Sequence, residues 1–326
     1  MFPMPTHTLL ARLTRGTALA AVLAALVAAS GCGYINKQAT KSIANTLAKP
    51  GDVFTRDDDP ELVRRAIPFA LKLYESLLET VPKHQPLLVA TCGGFTSYAY
   101  AFVQSDADMI RTDDHARARE LDDEALKLYV RAKNYCLRAM DVRFPGMSKA
   151  LLREDTRAQV LLKAEKKDVE LLYWTAASWG AAISLGLDQP DLAVDFPTVR
   201  AIAERALALD DTWSHGALHE MMITIESVEQ LGGSADRARD HFKRAIDLQH
   251  GNDTSAYLNL ALGVSVNKQN RTEFEKLLND ALAVDVEKDP SNRVVNLINK
   301  KRAQSLLDHA DALFVKHPAA RLTGIF

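Results

Sequence analysis

From residue 60 to the far end of the chain, apolar side chains recur at i, i+3, i+4 and i+7, the period of a helix with one buried face. Leu62, Ala66, Phe69, Leu73 and Leu77 form one such stripe. Leu126, Val130, Leu137 and Met140 form a second, and Leu171, Trp174, Ser178, Ala181 and Leu185 a third. Alternating Val/Ile/Thr/Tyr runs bounded by Asn-Gly or Asp-Gly turns, which would mark strands, do not occur. The breaks fall at Pro82, Pro86, Pro145-Gly146, Pro190, Pro197, Gly232-Gly233, Gly251-Asn252 and Pro290. The pattern predicts an all-α chain of roughly a dozen helices joined by short loops. Its first helix should start with Asp59 as cap and Pro60 at the first helical position, where the missing N–H costs nothing.

Several helices share a finer register. Ala238-x3-Phe242-x2-Ala245 has the spacing of the second helix in a tetratricopeptide unit, where two small residues flank a large one against the preceding helix. Ala132-x3-Cys136-x2-Ala139 and Val199-x3-Ala203-x2-Ala206 keep it, while Ala66-x3-Ala70-x2-Leu73 and Asn270-x3-Phe274-x2-Leu277 are degenerate copies. Ala206 to Ala245 is 39 residues and Phe242 to Phe274 is 32, which brackets the 34-residue period without holding it. The expected architecture is therefore tetratricopeptide-like helix pairs stacked into a curved array, with a groove on the concave side. A generic antiparallel bundle, which also needs small residues at its crossings, is the plainer alternative.

The N-terminal pattern is different. Arg12 and Arg15 precede an apolar run from Gly16 to Gly31, and about 16 residues separate Arg15 from Cys32, short of the ~20 that span a bilayer. Ala29, Ser30 and Gly31 before Cys32 look like a bacterial lipobox, in which the cysteine is acylated and becomes the first residue of the mature chain. Ala29 stands where Leu is usual, which leaves ordinary signal-peptidase cleavage and a retained anchor as alternatives. The expected organisation is a signal peptide over 1–31, a polar lipid-anchored tether over 32–60, and one helical domain over 61–326.

Of 326 residues the mature chain would keep 295, and the formal charge of −2 becomes −4 once Arg12 and Arg15 leave with the leader. No basic surplus remains to attract nucleic acid. Cys92 and Cys136 lie in apolar helical contexts without a C-x-x-C partner, so a bridge is open to them but not indicated, and each reads as a small buried hydrophobe.

The stretches "AIPFALKLYESLLETVP", "RAKNYCLRAM", "YWTAASWGAAISL", "ERALALDDTWSHGALHE", "LGGSADRARDHFKRAIDLQHGN" and "KRAQSLLDHADALF", from Ala66 to Phe314, carry a resemblance to a known family. The chain resembles the T component associated with tripartite ATP-independent periplasmic (TRAP) transporters. The resemblance implies a periplasmic, membrane-tethered, non-enzymatic lipoprotein that pairs with the solute-binding P component. It also implies a homotrimer built around a central pore with adjoining hydrophobic clefts, and an outer-membrane location.

Candidate chemistry is sparse. His215 and His219 would share a helical face at i, i+4, but Ile223 stands where a second zincin histidine belongs, and no G-x-S-x-G, P-loop or G-x-G-x-x-G occurs. No cofactor, metal or catalytic residue is expected, although a hydrolase or metalloenzyme using His215, His219 and Glu220 is the reading a metal analysis would test. The rings and polar tips expected to line a groove for a partner helix or a small hydrophobic or amphipathic solute are Tyr173, Trp174, Ser178, Trp213, His219 and Tyr257. A scaffold for an envelope protein unrelated to transport would use the same groove.

Overall fold

The computed structural model describes residues 37–49, 51, 53–186 and 190–314. Cys32, the leader and the tail after Phe314 lie outside the described residues. Among the described residues every regular element is a helix. A helix over residues 37–47 (α1) is followed by α2 (Pro60–Thr80), α3 (Gln85–Ile110), α4 (His115–Arg143), α5 (Met147–Leu151), α6 (Glu154–Leu161), α7 (Val169–Leu185) and α8 (Pro190–Ala193). Then come α9 (Phe196–Leu209), α10 (Ala217–Glu226), α11 (Ala235–Gln249), α12 (Ser255–Leu260), α13 (Arg271–Ala283), α14 (Arg293–Asp308) and α15 (Ala310–Leu313). Two π-helical turns interrupt the ladder: Ala99–Gln104 inside α3 and Ala261–Ser265 directly after α12.

The predicted start of α2 is the observed one: the Asp59 carboxylate accepts from the N–H groups of Glu61 and Leu62, and Pro60 opens the helix. Its predicted stripe is corrected. Leu62, Phe69 and Leu73 turn outward, Phe69 at 76% exposure, while Val63, Leu71 and Leu78 face the core. The period was right and the phase was not, because α2 carries two apolar faces and periodicity cannot tell which one meets α3. Part of the polar stretch read as a tether is also ordered against the body. Ala44 of α1 is buried, Tyr74 donates to the Leu47 carbonyl at 3.0 Å, and Asn45 lies 2.8 Å from His84.

The small-residue registers behave as interior contacts require. Ala132, Cys136 and Ala139 on α4, Val199, Ala203 and Ala206 on α9, and Ala238 and Ala245 on α11 are all buried, whereas Phe242 is only half-buried. Leu73 of the degenerate copy on α2 is exposed. Helix lengths run from 4 to 29 residues, unlike those of a regular array.

Small residues let α3, α4 and α7 approach closely. A Cβ on Gly93 would lie 2.9 Å from the Trp174 indole, so only glycine lets α3 meet α7 there. The residue before it, Cys92, is joined to Cys136 by a disulfide across Cα atoms 5.4 Å apart. This corrects the reading of two free thiols: local context described each cysteine well, and only the α3–α4 crossing brings the two together.

Neighbouring long helices pack on one another, and α2 and α3 also meet α14. Val63 and Phe102 form an apolar cluster with Val294 and Ile298 of α14, and the Val294 N–H donates to the Thr55 carbonyl at 3.0 Å. Arg302, 4% exposed, donates to Asp108 at 2.6 Å and to the Tyr100 hydroxyl at 2.8 Å. A buried guanidinium is tolerable only with such partners. The start and the end of the helical body are thus tied together.

Candidate functional site: a tyrosine–tryptophan ring cluster beside histidine and glutamate–glutamine pairs

The site is built around Tyr173 on α7. Its ring lies 4.7 Å from Trp213 and 4.9 Å edge-on from Trp174, and all three keep some exposure. Trp213 is brought there by a backbone reversal: Ser214, His215 and Gly216 have φ of 48°, 54° and 94°, in the left-handed region that costs side-chain-bearing residues energy. Gly216 suits the turn because its backbone is pressed against Leu248 of α11. The same reversal keeps His215 off the helix, which starts only at Ala217. The expected i, i+4 relation between His215 and His219 therefore does not exist, and His219 pairs with a residue from another helix.

That residue is His241 of α11. The two Nδ1 atoms are 2.8 Å apart, so one ring donates and the other accepts. The Nε2 of His219 is buried with no hydrogen-bond partner, the Asp211 carboxylate standing 3.8 Å away. Burial pushes the His219 imidazole down to about 4, with repulsion from His241 adding to it. His241 is lowered too, chiefly by burial.

Glu220 follows on α10 and also meets α11. Gln249 of α11 donates to its carboxylate through the side-chain amide, and the amide oxygen of Gln249 is buried without a partner. Asp253 is buried in the loop after α11, accepting from the Ser255 N–H at 2.7 Å and from Asn292 at 2.9 Å. Burial pushes the Glu220 carboxyl well above the usual carboxylate range, and the charge of Asp253 adds to this. Burial likewise raises Asp253 and the Tyr173 phenol, and Tyr173 also senses Glu220, Asp253 and Tyr100. Tyr100 sits on the π-turn of α3, its hydroxyl bound to Arg302. Glu220 and Tyr173 each keep part of their surface exposed.

Of the six residues expected in a groove, the structure brings Tyr173, Trp174 and Trp213 together. Ser178 is fully buried, its hydroxyl donating to the Trp174 carbonyl at 2.8 Å within its own helix, and offers no surface. His219 is interior, in the histidine pair. Tyr257 packs edge-on against Phe242 at 5.5 Å and senses Asp280 and Lys276 rather than the carboxyl pair. Sequence reasoning missed Tyr100, His241, Gln249 and Asp253. Glu220 had one local signal, being an acid inside the apolar run Leu218–Ile225. Among the described residues no three His, Cys, Asp or Glu side chains gather as a metal cage would need.

The sequence profile of the TRAP transporter T-component family matches residues 56–314, the helical body from the segment before α2 to the end of α15. The chain belongs to the TRAP transporter T-component family. A relative from Treponema pallidum (strain Nichols), described only as an uncharacterized protein, is 30% identical over 273 residues, covering 81% of this chain and 83% of the relative. Membership ties this T component to a TRAP transporter and to the cell envelope.

Proposed function

We propose that this T component is a lipid-anchored periplasmic adaptor, without catalytic activity, that docks the solute-binding P component of its transporter and takes a hydrophobic or amphipathic solute against the rings of Tyr173 and Trp213. The observation that carries the solute reading is this ring pair, packed 4.7 Å apart and still partly exposed to solvent. The Cys92–Cys136 disulfide supports an oxidising compartment. Affinity capture with the detergent-solubilised full chain from envelope extracts should recover a TRAP-type solute-binding protein. Recovery of an unrelated envelope protein instead would favour the scaffold alternative.

Two further parts of the reading have separate tests. Acylation at Cys32 anchors the chain, on the outer membrane by family resemblance, and Cys32→Ala should release it from membranes or stall it as a precursor. Normal membrane fractionation of that variant would remove the anchor. Self-association into a trimer would bury the outward stripe of α2, where Leu62, Ala66, Phe69 and Leu73 follow the 4-3-4 spacing of a helix–helix seam. Sedimentation should then show Phe69→Glu as a smaller species than the parent.

A further inference from the structure

Charge is spread unevenly over the helical body. Without the leader the formal charge is −4, yet residues 37–49, which hold α1, carry Lys37, Lys41 and Lys49 and no acid. The connection between α4 and α7, residues 144–168, has six Lys or Arg against four Asp or Glu, and the α2–α3 turn adds Lys83. Three segments of an acidic protein are therefore basic. They lie at one end of the body. Asn45 of α1 is 2.8 Å from His84 in the α2–α3 turn, and Tyr74 on the last turns of α2 donates to the Leu47 carbonyl at 3.0 Å. Arg138, near the end of α4, donates to the Pro82 carbonyl at 3.3 Å, and Arg143 pairs with Asp168, just before α7, at 2.7 Å. Ala44 of α1 shares its apolar cluster with Met147, Leu151 and Leu161 of the connection.

Exposed apolar side chains stand on the same elements. Leu162 is 69% exposed, Leu152 51% and Ile43 of α1 52%. Three of the four acids in the connection are taken by the protein's own cations, Asp155 by Arg153, Glu165 by Lys167 and Asp168 by Arg143. Lys41, Lys149 and Lys163 are exposed and form no ion pair with a described carboxylate. Exposed leucines among unpaired lysines are what an anionic lipid surface binds, the apolar groups entering the headgroup layer and the ammonium groups meeting phosphate.

We infer that this end of the body rests on the anionic phospholipid surface of the membrane that holds the chain, with Ile43, Leu152 and Leu162 in the headgroup layer and Lys41, Lys149 and Lys163 against its phosphates. This rests on the Cys32 anchor proposed above and adds the orientation of the body. Lys37 follows Cys32 by five residues, at most about 18 Å of extended chain. An acyl group on Cys32 therefore keeps the bilayer within reach of α1, and α1 is packed on this basic end. An acidic protein partner would also satisfy the lysines, but only the bilayer is brought here by the chain itself.

The test uses the full chain matured in cells, carrying a fluorophore on Leu162→Cys and reconstituted into vesicles of phosphatidylcholine, with or without phosphatidylglycerol. Cys92 and Cys136 are bonded to each other, so the introduced thiol takes the label. Nitroxides on the lipid headgroups should quench the label in anionic vesicles and far less in neutral ones, and high salt should abolish the difference. Each lysine at an anionic surface shifts the docked-to-undocked ratio by about fivefold, so adding Lys41→Glu and Lys163→Glu should lower it by more than about twentyfold. Equal quenching in both vesicles, or quenching that survives the two substitutions, would overturn the inference and leave the anchor standing. Should the lysine variants not fold, the vesicle and salt comparison on the labelled parent still decides. Flotation with neutral vesicles reads the anchor by itself. A chain that fails to float there has no anchor, and flotation with anionic vesicles then decides the basic end: floating supports it and sinking overturns it. A Leu162 label shielded by added solute-binding protein but not by lipid would give the surface to a protein and overturn the membrane reading.

Discussion

The α3–α4–α7 crossing and the α10–α11 crossing are both helix contacts built on small residues, and they end in opposite chemistry. At the first, Gly93 admits the Trp174 ring, Cys92 is bonded to Cys136, and Trp179 is buried with its indole N–H donating to Asp195 at 3.2 Å. Charged groups sit at its edge, where the Lys133 ammonium lies 5.1 Å from the Trp179 ring. At the second, Ala238 and Ala245 provide the close contact, but a histidine pair and a glutamate–glutamine pair fill the space between helices, with two buried atoms unpartnered. Close packing sets how near the helices come, and the residues beside the small ones decide whether the contact is inert or responsive.

The contrast can be broken from either side. Trp179→Ala should have the largest effect, a loss of about 3–5 kcal/mol in denaturant unfolding, because a fully buried ring leaves a cavity. A loss under about 1 kcal/mol would mean that the rigid side repacks. Reduction of the disulfide, or Cys92→Ala with Cys136→Ala, should cost roughly 2–4 kcal/mol, since the bond closes a loop across a separation of 44 residues. An unchanged melting temperature in reductant would show that the crossing needs no covalent help.

Acid should act on the other side. His219 has a folded value of about 4 against an ordinary 6.5, so its contribution is complete above pH 6.5 and is lost as pH falls toward 4, roughly 2–3 kcal/mol in all. Glu220 and Asp253 have raised values and act with the opposite sign, contributing stability at low pH that is lost as pH rises. Melts between pH 7 and 4 should therefore fall more steeply in Glu220→Gln than in the parent and less steeply in His219→Gln. Parallel curves for all three would assign the acid response to other groups. The smallest effect belongs to Phe242, half-buried and edge-on to Tyr257. Phe242→Ala should cost about 1–2 kcal/mol, below the range of a clamped core ring, and a loss above about 3 would put it back in the core register.

What was legible in the sequence is what depends on near neighbours. The Asp59–Pro60 start, the all-helical class, and the small residues of α4, α9 and α11 follow from spacings of one to seven residues, and the structure repeats them. The outward face of α2, the cysteine pairing and the histidine pairing each depend on which helix lies opposite, across 22 residues for His219–His241 and 44 for the cysteines. The turn at Ser214–Gly216 was illegible for another reason: serine and histidine there have no common left-handed signature, and the strain is imposed by the packing of Leu248. The ring cluster inherits both difficulties, since Trp213 reaches Tyr173 only through that turn and across 40 residues of chain.

The contact between α14 and the start of the helical body has a kinetic meaning. Arg293 reaches the Arg56 carbonyl across 237 residues of chain, and the Arg302 seam spans 194. In an open stack each added helix pair is secured as it emerges, and loss of the last one trims an edge. Here the first long helices wait for the last to arrive, so the order of synthesis runs against the order of completion and folding is slowed by the long loop that must close. A chain cut short before Arg293 would expose Val63 and Phe102 at the opposite terminus, an apolar patch for chaperones and proteases to recognise.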